Sequence, residues 1–488
     1  MFIGRKEELK FLEEAYTSGH SELIILYGRR RIGKTETLQQ FAADKKHVFY
    51  SCIQNNNETQ LRLFSQQILR SNHPFSSFMQ TFEDWEAALK AITLLPYGPD
   101  KKLVIIDEFP YLCRSNPAFP STLQNLWDRQ LKEENIMLVL CGSSMSFIEK
   151  DFLAHKNPMY GRATGILKMK PMSFADACMF FPEYSERNLV LAYSILGGIP
   201  HYLKQFNPEI SLAENIKSQI LRSGTILFSE TDFLLKEELR EPMIYNAVIT
   251  AIAAGASRLG EIKDRAMISS TGLTSTYLNN LMELGIVQKV FSVSTGEKER
   301  SNKQRGIYRI EDRYFDFWYS FCHPNSSSLE SGLSNELYDL LIAPQLNQFA
   351  GPTFEDIAME YLWRLNKKGE LPFTFFQIGR WMGKAAIRDP KEERGFRVDE
   401  TEIDLFAENL DHRQVLAGEC KFKDSVFRYS EYLNFREKAE YLCKSRTCHS
   451  YLFSLSGFDE RLKELADTDP LLHLITLEEM ILEFKSVK

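Results

Sequence analysis

The chain has 488 residues, 44% of them apolar or aromatic, which implies a folded globular protein of several domains, since single cores stop growing near roughly 250–300 residues. Its net charge of −7 excludes an overall basic, nucleic-acid-coating protein, so any such contact must be local. No run approaches the roughly 18 apolar residues of a membrane span, and the N-terminus carries no secretory apolar stretch. The eight cysteines are scattered without a C-x-x-C pair, so Cys443 and Cys448 read as ordinary reduced thiols beside His449. A cytoplasmic protein with no membrane partner is expected.

The first predicted strand is Leu23–Tyr27. It runs into Gly28-Arg29-Arg30-Arg31-Ile32-Gly33-Lys34-Thr35, which fits the phosphate-loop pattern G-x-x-x-x-G-K-[ST], and a helix is predicted from Glu36 to Ala43. Strand, glycine loop and helix N-terminus make an anion cradle. The backbone N–H groups from Gly28 to Glu36 wrap phosphates, Lys34 reaches the outer ones, and Thr35 offers a hydroxyl to Mg²⁺. ATP is the expected cofactor, with Mg²⁺.

A second strand, Leu103–Ile106, ends in Asp107-Glu108, the edge at which open α/β sheets bind ligands. Asp107 is the expected Mg²⁺ partner and Glu108 the group that polarises the attacking water. A third strand, Ile136–Cys141, delivers Ser143 and Ser144, either of which can meet the γ-phosphate; Ser143 is the chosen candidate. Tyr160-Gly161-Arg162 precedes a fourth strand-like run, Gly165–Met169. Arg162 at that strand's start is a candidate arginine finger, in cis or from a neighbouring subunit.

At this point the chain resembles a family. Phe2-Ile3-Gly4-Arg5-Lys6-Glu7-Glu8-Leu9 is similar to the N-terminal "hhGRExEL" box of the archaeal-type ATPases, in the STAND-like branch of the AAA+ superfamily. The resemblance implies that Ile3 and Arg5 sit near the adenine. It implies that Gly197-Gly198-Ile199-Pro200 is the G-x-P element of a helical lid, with Pro200 capping the base, and that Arg162 is the family's "GR" arginine. The implied fold class is α/β: a P-loop AAA+-like ATPase core (1–170), a helical lid (171–238), a winged helix (239–312), a connecting segment (313–345) and a C-terminal α/β nuclease-like domain (346–488).

From Pro242 the periodicity is helical, with Ile244, Val248, Ile249 and Ile252 on one stripe. A second short helix starts at Arg258, and Gly272-Leu273 makes a turn before a third helix capped by Thr274. A strand from Ile286 to Phe291 and a charged hairpin closing at Gly306–Ile310 complete a winged-helix pattern. The third helix carries no Arg or Lys over Thr274–Asn280, whereas the wing carries Lys298, Arg300, Lys303 and Arg305 with Glu297 and Glu299. The module therefore suits either DNA contact or protein packing.

Beyond an aromatic-dense stretch at Tyr308–Tyr319, Asn325–Ser328 reads as a loop or linker, and Gly351-Pro352-Thr353 as the opening of an amphipathic helix carrying Glu355. Glu402–Ala407 and Val415–Lys421 alternate like paired strands around a turn at Asn409–Arg413. Such a hairpin sets Asp404 opposite Gly418–Glu419, and Glu419 and Lys421 share one face. Asp404 and Glu419 are candidate Mg²⁺ ligands, and Lys421 completes a spacing similar to the PD-(D/E)XK nuclease motif. Glu355 resembles the acid that often joins that site. The sequence departs from the strict signature in having Glu402-Ile403, not Pro, before Asp404. Three functions follow: an ATP-hydrolysing switch coupled to these domains, an ATP-gated Mg²⁺-dependent nuclease, or a regulatory scaffold binding DNA or a protein partner.

Overall fold

The computed structural model describes residues 2–155, 157–294, 306–388, 396–443 and 446–486; of 385–388 and 396–399 it describes the backbone. The chain divides into two compact units, Met1–Met172 with Ile199–His201, and Ser173–Gly198 with Tyr202–Lys488.

The first unit holds a five-stranded sheet. Its strands are β1 (Glu22–Tyr27), β2 (His47–Ser51), β3 (Lys102–Asp107), β4 (Ile136–Gly142) and β5 (Gly165–Lys168), in the order β2-β3-β4-β1-β5 and all parallel. The central strands β1, β3 and β4 are apolar runs because helices cover both faces; every residue of β1 and β4 is buried. Two cores result, one around Phe64, Trp85 and Phe109, the other around Leu12, Leu38 and Phe41. Ligand-binding groups of such a sheet gather where β1, β3 and β4 end.

The second unit begins with helices. Glu186–Leu196 stops at Gly197, whose φ of 62° suits a residue without a Cβ. Pro242–Ala253 and Leu259–Arg265 precede a helix that spans Thr271–Glu283. That helix starts before the expected cap: the Ser270 side chain accepts from Leu273 N, while Thr274 is buried and donates to Ser270 O at 2.9 Å. A two-stranded sheet of β6 (Val287–Val290) and β7 (Ile307–Ile310) follows. The wing cations Lys298, Arg300, Lys303 and Arg305, with Glu297 and Glu299, lie outside the described residues.

Asn325–Ser328 is no linker. Ser326–Glu330 is helical, and Asn325 Nδ2 donates back to Phe321 O at 2.8 Å. Nor does Pro352 open a helix, for it lies inside one that runs Ala343–Lys368. Leu346 and Ala350 before the proline, and Phe354, Ile357 and Ala358 after it, are all buried, and this continuous apolar face outweighs the one lost backbone bond.

A second five-stranded sheet comprises β8 (Ile378–Arg388), β9 (Phe396–Glu408), β10 (Gln414–Lys421), β11 (Thr447–Ser454) and β12 (Leu472–Thr476), in the order β12-β11-β10-β9-β8. β8, β9 and β10 pair antiparallel and β10, β11 and β12 parallel, with helix Tyr429–Cys443 bridging β10 and β11. Cys443, at that helix's end, and Cys448, in β11, are joined by a disulfide with their Cα atoms 5.9 Å apart, which corrects the reduced-thiol expectation for this pair.

Candidate functional sites

The phosphate loop leaves β1 at Gly28, which runs so close to the neighbouring strand's exit that an added Cβ would stand 2.6 Å from Met169 O. Gly33 takes a φ of 90° as the chain turns into helix Lys34–Ala42. Lys34 is buried, and its ammonium donates to Gly28 O at 2.9 Å and Arg29 O at 3.0 Å; desolvation lowers its pKa from the ordinary value. Ile32 is buried under the loop, and Arg29, Arg30 and Arg31 are half-buried on it, with Arg30 donating to Tyr111 Oη at 3.4 Å. Glu36 faces solvent one turn into the helix.

Thr35 Oγ1 donates to Asp107 Oδ2 at 2.7 Å, joining the loop to the end of β3. A hydroxyl and a carboxylate oxygen at this spacing are a donor set that suits Mg²⁺. Glu108 follows with its backbone N–H on Asp107 Oδ1 at 3.0 Å. Ser143, just past β4, donates to Glu108 Oε2 through its hydroxyl at 2.8 Å and its N–H at 3.3 Å. The carboxylate of Glu108 is thereby aimed along the strand ends.

Arg5 is buried beside the same loop. It donates to Ile32 O at 2.6 Å, Lys170 O at 2.8 Å and Glu8 Oε1 at 2.7 Å. Ile3 is half-buried two residues earlier. Pro200 is buried, its Cγ 3.6 Å from where a Cβ on Gly33 would lie. Arg5, Arg31 and Glu108 have φ of 62°, 67° and 52°, a backbone region that costs side-chain-bearing residues energy. Three such residues around one loop mark a site held against local preference.

Arg162 is not brought to this loop. Thr164 N donates to Leu23 O at 2.9 Å, which pins the segment beside the start of β1, roughly 16 Å of strand from Gly28. The Arg162 guanidinium pairs there with Asp128 at 3.0 Å and donates to Pro158 O at 3.0 Å and Tyr160 O at 3.2 Å. Within its own chain it faces the opposite edge of the sheet.

The second unit gathers the acids of the C-terminal sheet. Leu405 pairs with Gly418, so Asp404 comes next to Glu419. Asp404 Oδ2 accepts from Cys420 N at 2.8 Å, and Lys421 Nζ donates to Glu419 Oε1 at 2.5 Å. Glu355, from helix Ala343–Lys368, meets them from above. One carboxylate oxygen each of Glu355, Glu402 and Asp404 lies within 4.8 Å of the others. Burial foremost, then the neighbouring charge, raises both the Glu355 and the Asp404 pKa; for Glu355 the neighbour is Asp404, for Asp404 it is Glu419. Such oxygens suit a divalent cation.

Two members escaped the sequence reading. Glu402 is two residues before Asp404 and so shares its strand face. Arg380, from β8, donates to Glu355 and holds Nε 3.7 Å from Glu402 Oε1. The i, i+2 spacing was visible for Glu402; nothing local marked Arg380, whose place depends on the register of β8 against β9.

A parallel sheet with a phosphate loop at the end of β1, acids at the end of β3 and a polar residue past β4, the strand between them, defines a P-loop nucleotide-hydrolysing protein. Residues 2–206 match the model of an ATPase domain predominantly from Archaea, and residues 318–438 match that of archaeal and bacterial proteins of unknown function. An uncharacterized protein of Methanocaldococcus jannaschii is 34% identical over 425 residues, 87% of this chain and 88% of the relative. An uncharacterized ATP-binding protein of the same organism is 54% identical over 46 residues, 9% of this chain and 78% of that protein. The Walker-type ATPase of Pyrococcus abyssi shares the fold at 20% identity and a TM-score of 0.51, over 65% of this chain and 96% of that one. The chain belongs to the archaeal-type ATPase family. It is an ATPase, and among the described residues no helix is long and apolar enough to cross a membrane.

Proposed function

We propose that the protein is a cytoplasmic ATP-driven switch in which the core (1–170) and lid (171–238) couple nucleotide state to a winged helix (239–312), a connecting segment (313–345) and a nuclease-like domain (346–488). The Thr35–Asp107 hydrogen bond beside the Ser143-oriented Glu108 is the observation that carries it. In this reading the loop amides and Lys34 bind the phosphates, Ile3, Arg5 and Pro200 frame the base, and Thr35 and Asp107 would hold Mg²⁺, which would supply positive charge against the phosphates. Glu108 takes a proton from the attacking water, and Ser143 fixes the direction of its carboxylate. Arg162, facing away from its own loop, serves the site of a second copy, so hydrolysis belongs to an assembly. Glu108→Gln is expected to retain ATP binding and lose at least about a hundredfold in hydrolysis, the scale of a lost general base. Hydrolysis at the wild-type rate in that variant would remove Glu108 from the role.

A second reading, a Mg²⁺-dependent nuclease gated by ATP, is favoured by the gathering of Glu355, Glu402, Asp404, Glu419 and Lys421. There Asp404 and Glu419, with Glu355 and Glu402 gathered beside Asp404, would hold the ion, which would supply an acidified water, and Lys421 would steady the phosphate under attack. DNA is the expected substrate. ATP-dependent cutting that is lost in Asp404→Asn supports this reading; phosphate release over intact DNA, across varied substrates, leaves the switch alone.

A further inference from the structure

Between the helices and hairpin that follow Pro242 and the C-terminal sheet lies a polar groove of about 600 Å³. Ser257 and Arg258 form one wall, before helix Leu259–Arg265, with Ser292 and Gly306–Ile307 of the hairpin beside them. The other wall is Met382–Lys384 of β8 and Glu400–Glu402 of β9. The walls are tied together: Val293 N donates to Arg380 O at 2.8 Å, and Met382 N donates to Ser292 Oγ at 3.0 Å. The groove is therefore preformed.

We propose that this groove binds one strand of nucleic acid by its phosphodiester backbone and leads it to the carboxylate cluster. The proposal rests on the nuclease reading for what happens at the groove's end, and on the groove itself for binding. Glu402 belongs to both the groove lining and the acid cluster, so a chain lying in the groove has its backbone at the cluster. Arg258 and Lys384 supply the cations. Arg258 stands 3.6 Å from Glu400 with both side chains largely exposed, a weak ion pair that leaves the guanidinium open to a phosphate as well. Ser257, Ser292 and Thr401 add hydroxyls of the kind that meet phosphate oxygens. A cavity of this volume is the size of a small-ligand pocket, room for a few nucleotides of one strand and not for a duplex. None of the described lining residues is aromatic, so those residues meet the strand through its backbone.

The test is fluorescence anisotropy of a labelled twelve-nucleotide oligothymidylate on the full chain in EDTA, across a salt series, beside the duplex of the same length. The single strand is expected to bind more tightly than the duplex. Arg258→Ala with Lys384→Ala should weaken single-strand binding at least tenfold and reduce the salt slope by roughly 1.4, about 0.7 for each lost phosphate contact. Arg258→Lys should restore its share of the slope, and the ATPase rate and melting temperature should stay at wild-type values. Unchanged affinity and slope in the double variant overturns the groove, as does a wild-type protein that binds no single strand. The two readings separate cleanly. Cutting that depends on Asp404 in a protein whose double variant binds normally sinks the groove and spares the nuclease. Binding through Arg258 and Lys384 in a protein that never cuts sinks the nuclease and spares the groove.

Discussion

The loop after β1 and the cluster on β9 present opposite charge problems on similar scaffolds. The loop holds a buried ammonium, and carbonyl oxygens of Gly28 and Arg29 receive its hydrogen bonds. The cluster holds the half-buried carboxylates of Glu355 and Asp404 beside an exposed Glu402, and the guanidinium of Arg380 stands against Glu355 and Glu402. A buried charge must be paired or it neutralises. The solutions differ in origin: the loop's partners are its own backbone, whereas the cluster's partner is a side chain from another strand.

The largest expected effect breaks the loop and leaves the cluster whole. Lys34→Ala removes the donor that meets the outer phosphates and should cost about 10² to 10³ in ATP hydrolysis, the scale of a lost preorganised donor. Mn²⁺ binding to the C-terminal cluster, read by electron paramagnetic resonance, should not move. A parallel loss of Mn²⁺ binding would mean that the two sites are not independent.

The converse change sharpens the contrast. If Arg380 and a divalent cation compete for the same oxygens, Arg380→Gln should raise Mn²⁺ affinity about tenfold and lower the melting temperature without the ion, since Glu355 loses its partner. Saturating Mn²⁺ should then restore more stability to the variant than to wild type, by mass action on the folded state. Adding Asp404→Asn should abolish that rescue. Affinity unchanged in Arg380→Gln would make the arginine a structural clamp only.

The two sites also differ in how far they could be read from the chain. The loop is eight consecutive residues whose spacing alone specifies a turn, and the acids of β3 follow an apolar run too short to be anything but a buried strand. The edge on which Arg162 falls needs the pairing of Gly165 with Ile24, which no local pattern contains. In the second unit Asp404, Glu419 and Lys421 alternate as any solvated strand face does. Arg380 joins them only through the register of β8 on β9, and that register shifts between Gly379 and Trp381. The hairpin that closes at Gly306–Ile310 was legible: Ile307–Ile310 forms β7, and pairing with β6 satisfies its backbone groups.

The smallest expected effect tests whether buried acids without a site behave like those with one. Asp316 lies in helix Arg313–Phe317, and burial pushes its pKa up to about 6, against the pull of Arg309 and Arg313. Its folded pKa exceeds the ordinary carboxylate value near 4, so the folded state binds the proton more tightly. Stability from this group is therefore present at low pH and lost as pH rises from about 4 through about 6. Asp316→Asn keeps the shape without the charge. It should melt a few degrees higher than wild type at pH 8 and no higher at pH 4, a difference of about 3 kcal/mol at most. Unlike the carboxylates beside Arg380, Asp316 should show no response to Mn²⁺ at any pH. A metal-dependent shift at this position would mean that the whole charged seam, from Asp316 through Arg313 and Asp356 to Glu355, titrates as one body.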